Sequence, residues 1–256
     1  MSKEIESWGI KNIRVLYDKP TEIYKPLSHE EKMNFISKID WSSEDISINT
    51  ESEIASSAKF VFSGALKSSL IVSSTSWTED EDFTILAEAL AIYDQSLAGC
   101  RKIFIVITGK GPLKNYHMDK IIKLKLKQII VRSCWLKHYE YAQLIACADF
   151  GVSLHASSSG LDLPMKIVDM FGCGIPVCAL GFPWYSVIPN TSISELVIEG
   201  YNGLIFKSAS QLADHFGNLL QPDSKLLKEM TLNTRKEGKR WDENWDEVMI
   251  PLLETF

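Results

Sequence analysis

The stretch FGVSLHASSSGLDLPMKIVDMFGCGIPVCAL, Phe150–Leu180, decides the predicted fold of this chain. Its pattern predicts a buried strand, a loop of small residues at Ala156–Asp162, a helix and a second buried strand. Pro164 is expected at the first helical position, where its fixed φ fits and its missing N–H costs nothing. Gly172 and Gly174 are expected to end the helix. A small-residue loop before a helix N-terminus suits an anion, because free backbone N–H groups and the helix dipole both point at it.

The rest of the chain alternates between strand and helix patterns. The other predicted strands are Asn12–Tyr17, Leu70–Ser73, Ile103–Thr108, Ile129–Val131 and Leu204–Phe206. The other predicted helices are His29–Ile39, one from a Thr78/Glu81 capping box to about Ser96, Leu113–Leu126, Tyr139–Ala148, Glu195–Glu199, Ser210–Leu220, Ser224–Lys239 and Asp242–Leu253. This alternation predicts a doubly wound parallel α/β sheet. Ligands of such sheets bind beyond the carboxyl ends of the strands.

Composition limits the class of protein. The 256 residues are 45% hydrophobic, which allows a sizeable core, and the net charge of −6 gives no reason to expect a nucleic-acid partner. The five cysteines form no CxxC pair and no metal-ligand spacing with the histidines, which is typical of reduced cytosolic thiols. No stretch approaches the ~18 apolar residues needed to span a bilayer, so the chain as given is expected to be soluble.

The Gly109-Lys110-Gly111 turn lies between a predicted strand and a predicted helix. Backbone amides and a lysine in such a turn can bind a diphosphate, but a strand-to-helix turn can also need glycine for its backbone alone. The segment has neither the Walker A spacing nor the complete dinucleotide fingerprint. The residues therefore leave a phosphate-binding turn and a purely structural turn open.

Ser157–Gly160 and the residues around it are stronger candidates for a binding site. Small residues let a backbone approach a ligand, and the following helix favours phosphate, although a capped helix start would look the same. Asp169 can accept both hydroxyls of a ribose, or it can simply complement the helix dipole. His155 is either catalytic or, more simply, a half-buried residue at a strand end. Trp77 and Trp135 can stack on a base or a sugar, but core packing is the simpler interpretation of each.

Several segments carry a resemblance to a known family. SSTSWTEDEDF (Ser73–Phe83), VITGKGPL (Val106–Leu113) and SSSGLDLPMKIVDMFGCGIPVCA (Ser157–Ala179) resemble the eukaryotic chitobiosyldiphosphodolichol β-mannosyltransferases. The segments Ser194–Val197 and Asn202–Phe206 resemble the next segment of that family.

The resemblance implies a GT-B glycosyltransferase, which has two Rossmann-like domains facing a cleft. The C-terminal domain of such an enzyme binds the nucleotide-sugar donor, here GDP-mannose, and no cofactor is implied. The implied acceptor is the lipid-linked chitobiose GlcNAc₂-diphosphate-dolichol, at the cytosolic face of the endoplasmic reticulum membrane. The implied reaction forms a β1,4-mannosyl bond with inversion and belongs to the synthesis of the N-glycan precursor.

The resemblance also implies a division of the chain and a set of donor-binding residues. Residues 1–39 would be a remnant of the acceptor-side N-terminal domain, 40–69 a flexible linker, 70–239 the Rossmann-like nucleotide-sugar-binding domain and 240–256 a C-terminal helix. The residues expected to bind the donor are Ser76, Gly109, Lys110, Gly111, His155, Ser157, Ser158, Ser159, Gly160, Asp162, Lys166 and Asp169. No catalytic residue and no metal ligand are assigned.

Three departures from the family pattern change what is expected of this chain. The membrane anchor and nearly all of the N-terminal domain are absent from the sequence given. Related GT-B enzymes carry a Glu-x7-Glu pair near this loop; Asp169 holds the second position, but Leu161 holds the first and Asp162 comes one residue late. The ribose role therefore transfers better than any sugar role. The loop Phe182–Ile193 is longer than its counterpart in the family.

Inversion requires a general base opposite the leaving diphosphate, and the sequence offers no convincing base. The expectation is therefore GDP-mannose recognition with little or no transfer by this chain alone. The alternative is a non-catalytic nucleotide-sugar-binding or partner-binding module, completed by a missing N-terminal domain or by other glycosyltransferase subunits at the membrane. A Rossmann-type dehydrogenase is disfavoured because the glycine fingerprint is absent.

Overall fold

The structure is a computed structural model, and it describes residues 2–11, 13–39, 69–96, 103–156, 163–181 and 192–254. Within these ranges one parallel sheet is formed, with the strand order β3-β2-β1-β4-β5-β6. Its strands are β1 (Ser69–Ser74), β2 (Ile103–Thr108), β3 (Ile129–Cys134), β4 (Phe150–Ser153), β5 (Val177–Leu180) and β6 (Gly203–Phe206). The predicted doubly wound sheet is confirmed.

The sheet reverses its order of winding between β1 and β4. The chain proceeds outward from β1 to β3 on one side and from β4 to β6 on the other. The two halves of the sheet meet where Ile71–Ser73 pairs with Phe150–Val152. The carboxyl ends of β1 and β4 therefore border the crevice where open α/β sheets bind their ligands.

Helices cover both faces of the sheet. In chain order they are α1 (Ser2–Ser7), α2 (His29–Lys38), α3 (Phe83–Ser96), α4 (Lys114–Lys123), α5 (His138–Cys147), α6 (Met165–Gly172), α7 (Ser192–Leu196), α8 (Ala209–Leu219), α9 (Lys225–Lys236) and α10 (Trp241–Leu253). The helix predicted at Glu195–Glu199 begins and ends earlier in the structure, as α7.

Alternate residues of each strand serve opposite faces of the sheet. Ile71 packs in a cluster with buried residues of α3 and α8. Its neighbour Val72 packs in a second cluster with residues of α5 and α6. Because both faces are covered, the strands are short apolar runs, which explains why the sequence pattern predicted all six of them.

The N-terminal segment belongs to the second cluster. Tyr24, Phe35 and Ile36 are buried among residues of α5 and α6. The strand predicted at Asn12–Tyr17 is wrong, because residues 13–17 form no regular element and pair with no strand of the described ranges. This segment lies along α10 instead, where the Asn244 side-chain amide donates to the Tyr17 carbonyl oxygen at 2.8 Å.

Two predicted helix starts are corrected. The capping box at Thr78 and Glu81 is not formed, because the Glu81 side chain turns into the interior; α3 begins at Phe83, and Asp82 Oδ1 accepts from the Thr84 amide at 2.9 Å. Pro164 precedes α6 as its cap residue, with ψ of 99°, and is not its first helical residue. The predicted end of α6 is confirmed, since the helix stops at Gly172 and Gly174 adopts a φ of +71°.

Several predictions fall outside the described residues. They concern the linker at 40–68, the small-residue loop at 157–162, most of the loop at 182–193, and Cys100. The division of the chain into remnant, linker, donor-binding domain and terminal helix also stays a prediction. The other four cysteines are buried, and burial raises the pKa of both Cys147 and Cys173 to about 12.

Candidate functional site

The segments that follow β1, β2 and β4 meet at the carboxyl edge of the sheet. Ser76 follows β1, Gly109–Gly111 follows β2, and His155 follows β4. Lys166 and Asp169 lie on α6, whose N-terminus follows the loop at 157–162. The structure therefore gathers at one edge those predicted site residues that it describes, although Ser157, Ser158, Ser159, Gly160 and Asp162 lie outside the described ranges.

The turns after β1 and β2 touch through their backbones. A Cβ atom at Gly109 would lie 1.8 Å from the Thr75 carbonyl oxygen, and one at Gly111 would lie 1.8 Å from the Ser76 carbonyl oxygen. Gly109 also adopts a φ of +148°. Close backbone approach therefore requires both glycines, whatever else the turn does. Their role in phosphate binding stays a prediction.

Trp77 locks these two turns together. Its indole is fully buried, packs 4.6 Å from the Phe83 ring between centroids, and donates a hydrogen bond to the Gly109 carbonyl oxygen at 3.2 Å. The residue adopts a φ of +51°, which is strained for a side chain of this size. The core interpretation of Trp77 is confirmed, and its ring is not available to a ligand.

Trp135 differs from Trp77 because it lies at the surface. Its side chain follows β3 and is 57% exposed, and the Lys110 ammonium lies 4.9 Å from the centre of its ring. A cation at this distance is attracted to the face of an indole. The core interpretation of Trp135 is therefore wrong, and an aromatic face and a lysine lie together at the site edge.

Glu81 is the central polar residue of the site, and sequence reasoning assigned it to a helix cap. It is 1% exposed, and Oε2 accepts hydrogen bonds from the Thr75 hydroxyl at 2.6 Å and from the Ser76 amide at 2.7 Å. Oε1 lies 2.5 Å from the Lys166 ammonium. A buried carboxylate needs such partners, because an unpaired charge in the interior is very costly. Glu81 thereby joins the β1 turn to α6.

Asp80 makes a second link across the same crevice. Its carbonyl oxygen accepts from the Ala156 amide at 2.8 Å, and its Oδ2 lies 3.3 Å from His155 Nδ1. The Thr78 side-chain hydrogen bond and the nearby His155 and Lys166 hold the pKa of Asp80 below its ordinary value. The segment between β1 and α3 is thus fastened to the segment that leads from β4 into the predicted diphosphate loop.

These contacts explain how three of the four consecutive acids Glu79–Asp82 can lie beside a predicted anion site. Asp80 is paired with His155, Glu81 with Lys166, and Asp82 caps α3. A run of acids at the end of a strand was the available sequence signal for an internal ion pair. Its partner could not be named, because Lys166 is 85 positions away in the chain.

Asp169 has a different environment from Glu81. It is half-buried on α6, and the Tyr24 hydroxyl donates a hydrogen bond to its carboxylate. Burial raises the pKa of Asp169 to about 7, and the Tyr24 hydrogen bond offsets this rise only in part. The same burial, with Asp169 nearby, raises the pKa of Tyr24 far above its usual range. Asp169 therefore gains and loses a proton near neutrality, and sequence reasoning did not foresee its contact with Tyr24.

The described ranges also limit where a metal ion or a membrane could be bound. No group of three or more His, Cys, Asp and Glu side chains in these ranges is placed to hold a metal ion. None of the helices in the same ranges combines the length and the apolar character needed to cross a membrane.

Comparison with known proteins gives close matches over nearly the whole chain. The chitobiosyldiphosphodolichol beta-mannosyltransferase of Arthroderma benhamiae is 40% identical to this chain over 96% of its length. The enzyme of the same name from Mus musculus is 40% identical over 97% of this chain. By sequence, this chain is a relative of the chitobiosyldiphosphodolichol beta-mannosyltransferases. The UDP-glycosyltransferase TURAN of Arabidopsis thaliana is 37% identical over 97% of this chain. No protein-family model matches the chain.

The chain spans about half the length of these curated relatives: 52% and 53% of the two beta-mannosyltransferases and 59% of TURAN. The resemblance stated from the sequence is confirmed over this shared part.

Solved structures confirm the fold class. Sucrose-phosphate synthase from Thermosynechococcus elongatus superposes with a TM-score of 0.62 at 14% identity, over 99% of this chain and 55% of that one. The C-terminal domain of a glycosyl transferase group 1 family protein, LpcC, from Francisella tularensis superposes with a TM-score of 0.54 at 17% identity, over 86% of this chain and 95% of that one. At these identities the likeness concerns the fold alone. This chain thus has the Rossmann-like fold of a GT-B C-terminal domain.

Proposed function

We propose that this chain is the donor-binding part of a β1,4-mannosyltransferase that uses GDP-mannose. The complete enzyme would transfer mannose with inversion to GlcNAc₂-diphosphate-dolichol at the cytosolic face of the endoplasmic reticulum membrane, in the synthesis of the N-glycan precursor. The observation that carries this proposal is the convergence of the Lys166 ammonium and the Ser76 amide on the Glu81 carboxylate at the crevice between β1 and β4, in a relative of the beta-mannosyltransferases.

The diphosphate of the donor is assigned to this crevice. The Lys166 side chain is 27% exposed, so its ammonium can reach a ligand while it is held by Glu81. The α6 N-terminus and the predicted loop Ser157–Gly160 add backbone N–H groups, and Lys110 adds a second cation from the β2 turn. These groups would stabilise the charge on the departing GDP, which is the part of an inverting transfer that this chain can supply.

The ribose is assigned to Asp169. An ionised carboxylate accepts both hydroxyls of a ribose, and Asp169 lies one helical turn beyond Lys166 on α6. Since burial holds the pKa of Asp169 at about 7, the accepting form is the major form only above neutral pH. The general base is not assigned to this chain; it would come from the acceptor-side domain or from another subunit.

Calorimetry with GDP, GDP-mannose and UDP-GlcNAc at pH 8 tests the proposal. We expect GDP and GDP-mannose to bind, UDP-GlcNAc to bind more weakly, and Asp169→Ala to weaken GDP binding about tenfold through the loss of charge-assisted hydrogen bonds. Asp214→Ala removes an exposed carboxylate from α8, on the opposite face of the sheet, and should leave GDP binding unchanged. Failure of all three nucleotides to bind would remove the donor-binding proposal.

A second candidate is a UDP-sugar-binding module without transfer activity of its own. The name of the relative TURAN, a UDP-glycosyltransferase, favours it. Tighter binding of UDP-GlcNAc than of GDP-mannose would select this candidate. Robust mannosyl transfer to a chitobiosyl lipid by the purified chain would instead contradict the expectation that the chain alone is nearly inactive.

A further inference from the structure

A buried negative charge lies beneath the place where a doubly phosphorylated ligand is proposed to bind. Glu81 is 1% exposed, so water cannot surround its carboxylate and screen the repulsion between it and a diphosphate. A like charge within several ångströms opposes anion binding, most of all away from bulk water. The site thus contains a group that weakens the binding for which the surrounding donors are suited.

Lys166 is the group that the carboxylate and a diphosphate would share. Its ammonium carries three N–H donors, and one of them is directed to Glu81 Oε1 at 2.5 Å. Glu81 is far more deeply buried than Lys166, whose side chain is 27% exposed. The pair therefore has a fixed negative member in the interior and a positive member that can turn outward.

Glu81 keeps its own position without Lys166. The Thr75 hydroxyl and the Ser76 amide both donate to Oε2, at 2.6 Å and 2.7 Å. The backbone of Glu81 also pairs with His155 in an isolated antiparallel bridge. A ligand that draws Lys166 outward would therefore leave the carboxylate in place.

We propose that Glu81 is an internal counter-ion that competes with the diphosphate of the donor for Lys166. This inference rests on the proposed function. In the empty site Glu81 neutralises Lys166 and holds it at the crevice. In the occupied site the ammonium is divided between the carboxylate and the phosphate oxygens, so the diphosphate is held less tightly than the cations alone would hold it. The same competition favours the release of GDP after transfer.

The decisive variant is Glu81→Gln, with GDP, GMP and guanosine as ligands in calorimetry. The amide oxygen can still accept from Thr75 and Ser76, while the negative charge is lost and Lys166 is free to face the ligand. One unit of charge at this range corresponds to about tenfold in affinity, so GDP should bind about tenfold more tightly than to the wild type. GMP should gain less, and guanosine, which has no phosphate, should gain nothing.

Two companion variants separate charge from folding. Lys166→Met should weaken GDP binding, but it leaves Glu81 buried without its cation and threatens folding. The double variant Glu81→Gln/Lys166→Met buries no charge, so it should fold and bind GDP more weakly than Glu81→Gln alone. The matched control is Glu199→Gln. Glu199 accepts from the amide of Ile205 in the end strand β6, which β5 separates from the β1–β4 crevice, and GDP affinity should stay unchanged.

The outcomes distinguish this inference from the function on which it rests. If the wild type binds GDP and Glu81→Gln binds it equally or less tightly, the counter-ion role is wrong and the donor-binding proposal stands. Equal gains for GDP and guanosine would also overturn the counter-ion role, because the effect would not follow phosphate charge. If the wild type binds none of the nucleotides, both the function and this inference fall.

Discussion

Asp169 and Glu81 are two carboxylates of one candidate site with opposite surroundings. Glu81 receives donors on both oxygens, from Thr75, Ser76 and Lys166. Asp169 receives a hydrogen bond from Tyr24, and burial dominates, so its pKa is raised to about 7. The residue type alone therefore does not set the surroundings of a carboxylate; the fold decides how deeply each one is buried and which donors it receives.

The raised pKa of Asp169 predicts a pH-dependent stability. Its pKa rises from 3.8 to about 7 on folding, so the folded protein binds an extra proton between these values. The stability from this protonation is complete below about pH 4 and is lost as the pH rises through 7. Asp169→Asn should remove this loss of stability with rising pH. Urea unfolding at pH 5 and pH 8 should show a smaller difference in the free energy of unfolding for the variant.

The control for this measurement is Asp214→Asn, whose exposed side chain should leave the pH profile of the wild type intact. An unchanged profile in Asp169→Asn would show that Asp169 is not the group that titrates.

A residue could be assigned to the site from the sequence only where its neighbours along the chain determine its surroundings. Asp169 and Lys166 could be proposed from the helix that follows the small-residue loop. Glu81 could not, because a glutamate three residues after a threonine has the spacing of a capping box, and its true partner is distant in sequence. Tyr24 was missed for the same reason, since Asp169 meets it only in the folded chain.

Among elements, the connection from β1 to α3 does more than join a strand to a helix. Its turn packs on the β2 turn, and its acids reach the segment after β4 and the helix α6. The chain therefore places the start of α3 at Phe83, beyond these contacts, and leaves Asp82 to cap it. The site and the helix start are thus parts of one connection.

This arrangement predicts that Asp82→Ala destabilises the protein more than Thr78→Ala does. Removal of the Asp82 cap from the Thr84 amide should cost about 1 kcal/mol of the free energy of unfolding. Thr78→Ala, at a residue outside α3, should lower the free energy of unfolding by less. Urea unfolding at neutral pH measures both variants, with Ser208→Ala, the cap of α8, as a positive control. A larger loss of unfolding free energy for Thr78→Ala than for Asp82→Ala would contradict this assignment and favour the capping box predicted from the sequence.

Strands of the sheet could be located from the sequence because burial on both faces makes them short apolar runs. The same criterion failed at Asn12–Tyr17, because its described residues, 13–17, pair with no strand in the described part of the chain. Pairing is a property of the fold, so a strand-like sequence without a partner takes another structure. Helix starts were less predictable, because α3 begins at Phe83, beyond the predicted Thr78 cap, and Pro164 is the cap residue of α6 and not its first helical residue.

In the whole molecule, the N-terminal segment shares the core of the sheet. Phe35 and Ile36 of α2 are buried in the cluster that includes Leu144 and Ile145 of α5. Arg240, at the start of α10, donates hydrogen bonds to the carbonyl oxygens of Tyr24 and Gly172. The segment 13–39 is therefore expected to unfold together with the sheet.

Phe35→Ala tests this cooperation. Loss of a buried phenylalanine should lower the free energy of unfolding by about 3–5 kcal/mol. Circular dichroism and tryptophan fluorescence should still report one coincident transition during urea unfolding. Ile10→Ala, at an exposed position, is the control and should change little. A separate early transition in Phe35→Ala would show that α2 unfolds independently of the sheet.

Topology at this scale was predictable from the alternation of strand and helix, and the position of the ligand edge followed from it. Contacts between remote segments were not predictable, since they depend on which faces meet. The packing of α2 on α5 and the ties between α10 and the N-terminal segment belong to this second kind.

The pairing of Ile71–Ser73 with Phe150–Val152 also bears on how the protein folds. Strands β1 to β3 follow one another in the chain, as do β4 to β6, so each half of the sheet can form through local steps. The pairing between β1 and β4 joins residues 79 positions apart, as in the bond from Ser73 to Val152, and such distant contacts are slow to form. The proposed donor crevice exists only after this step, so a nucleotide bound there would hold together the two halves of the sheet.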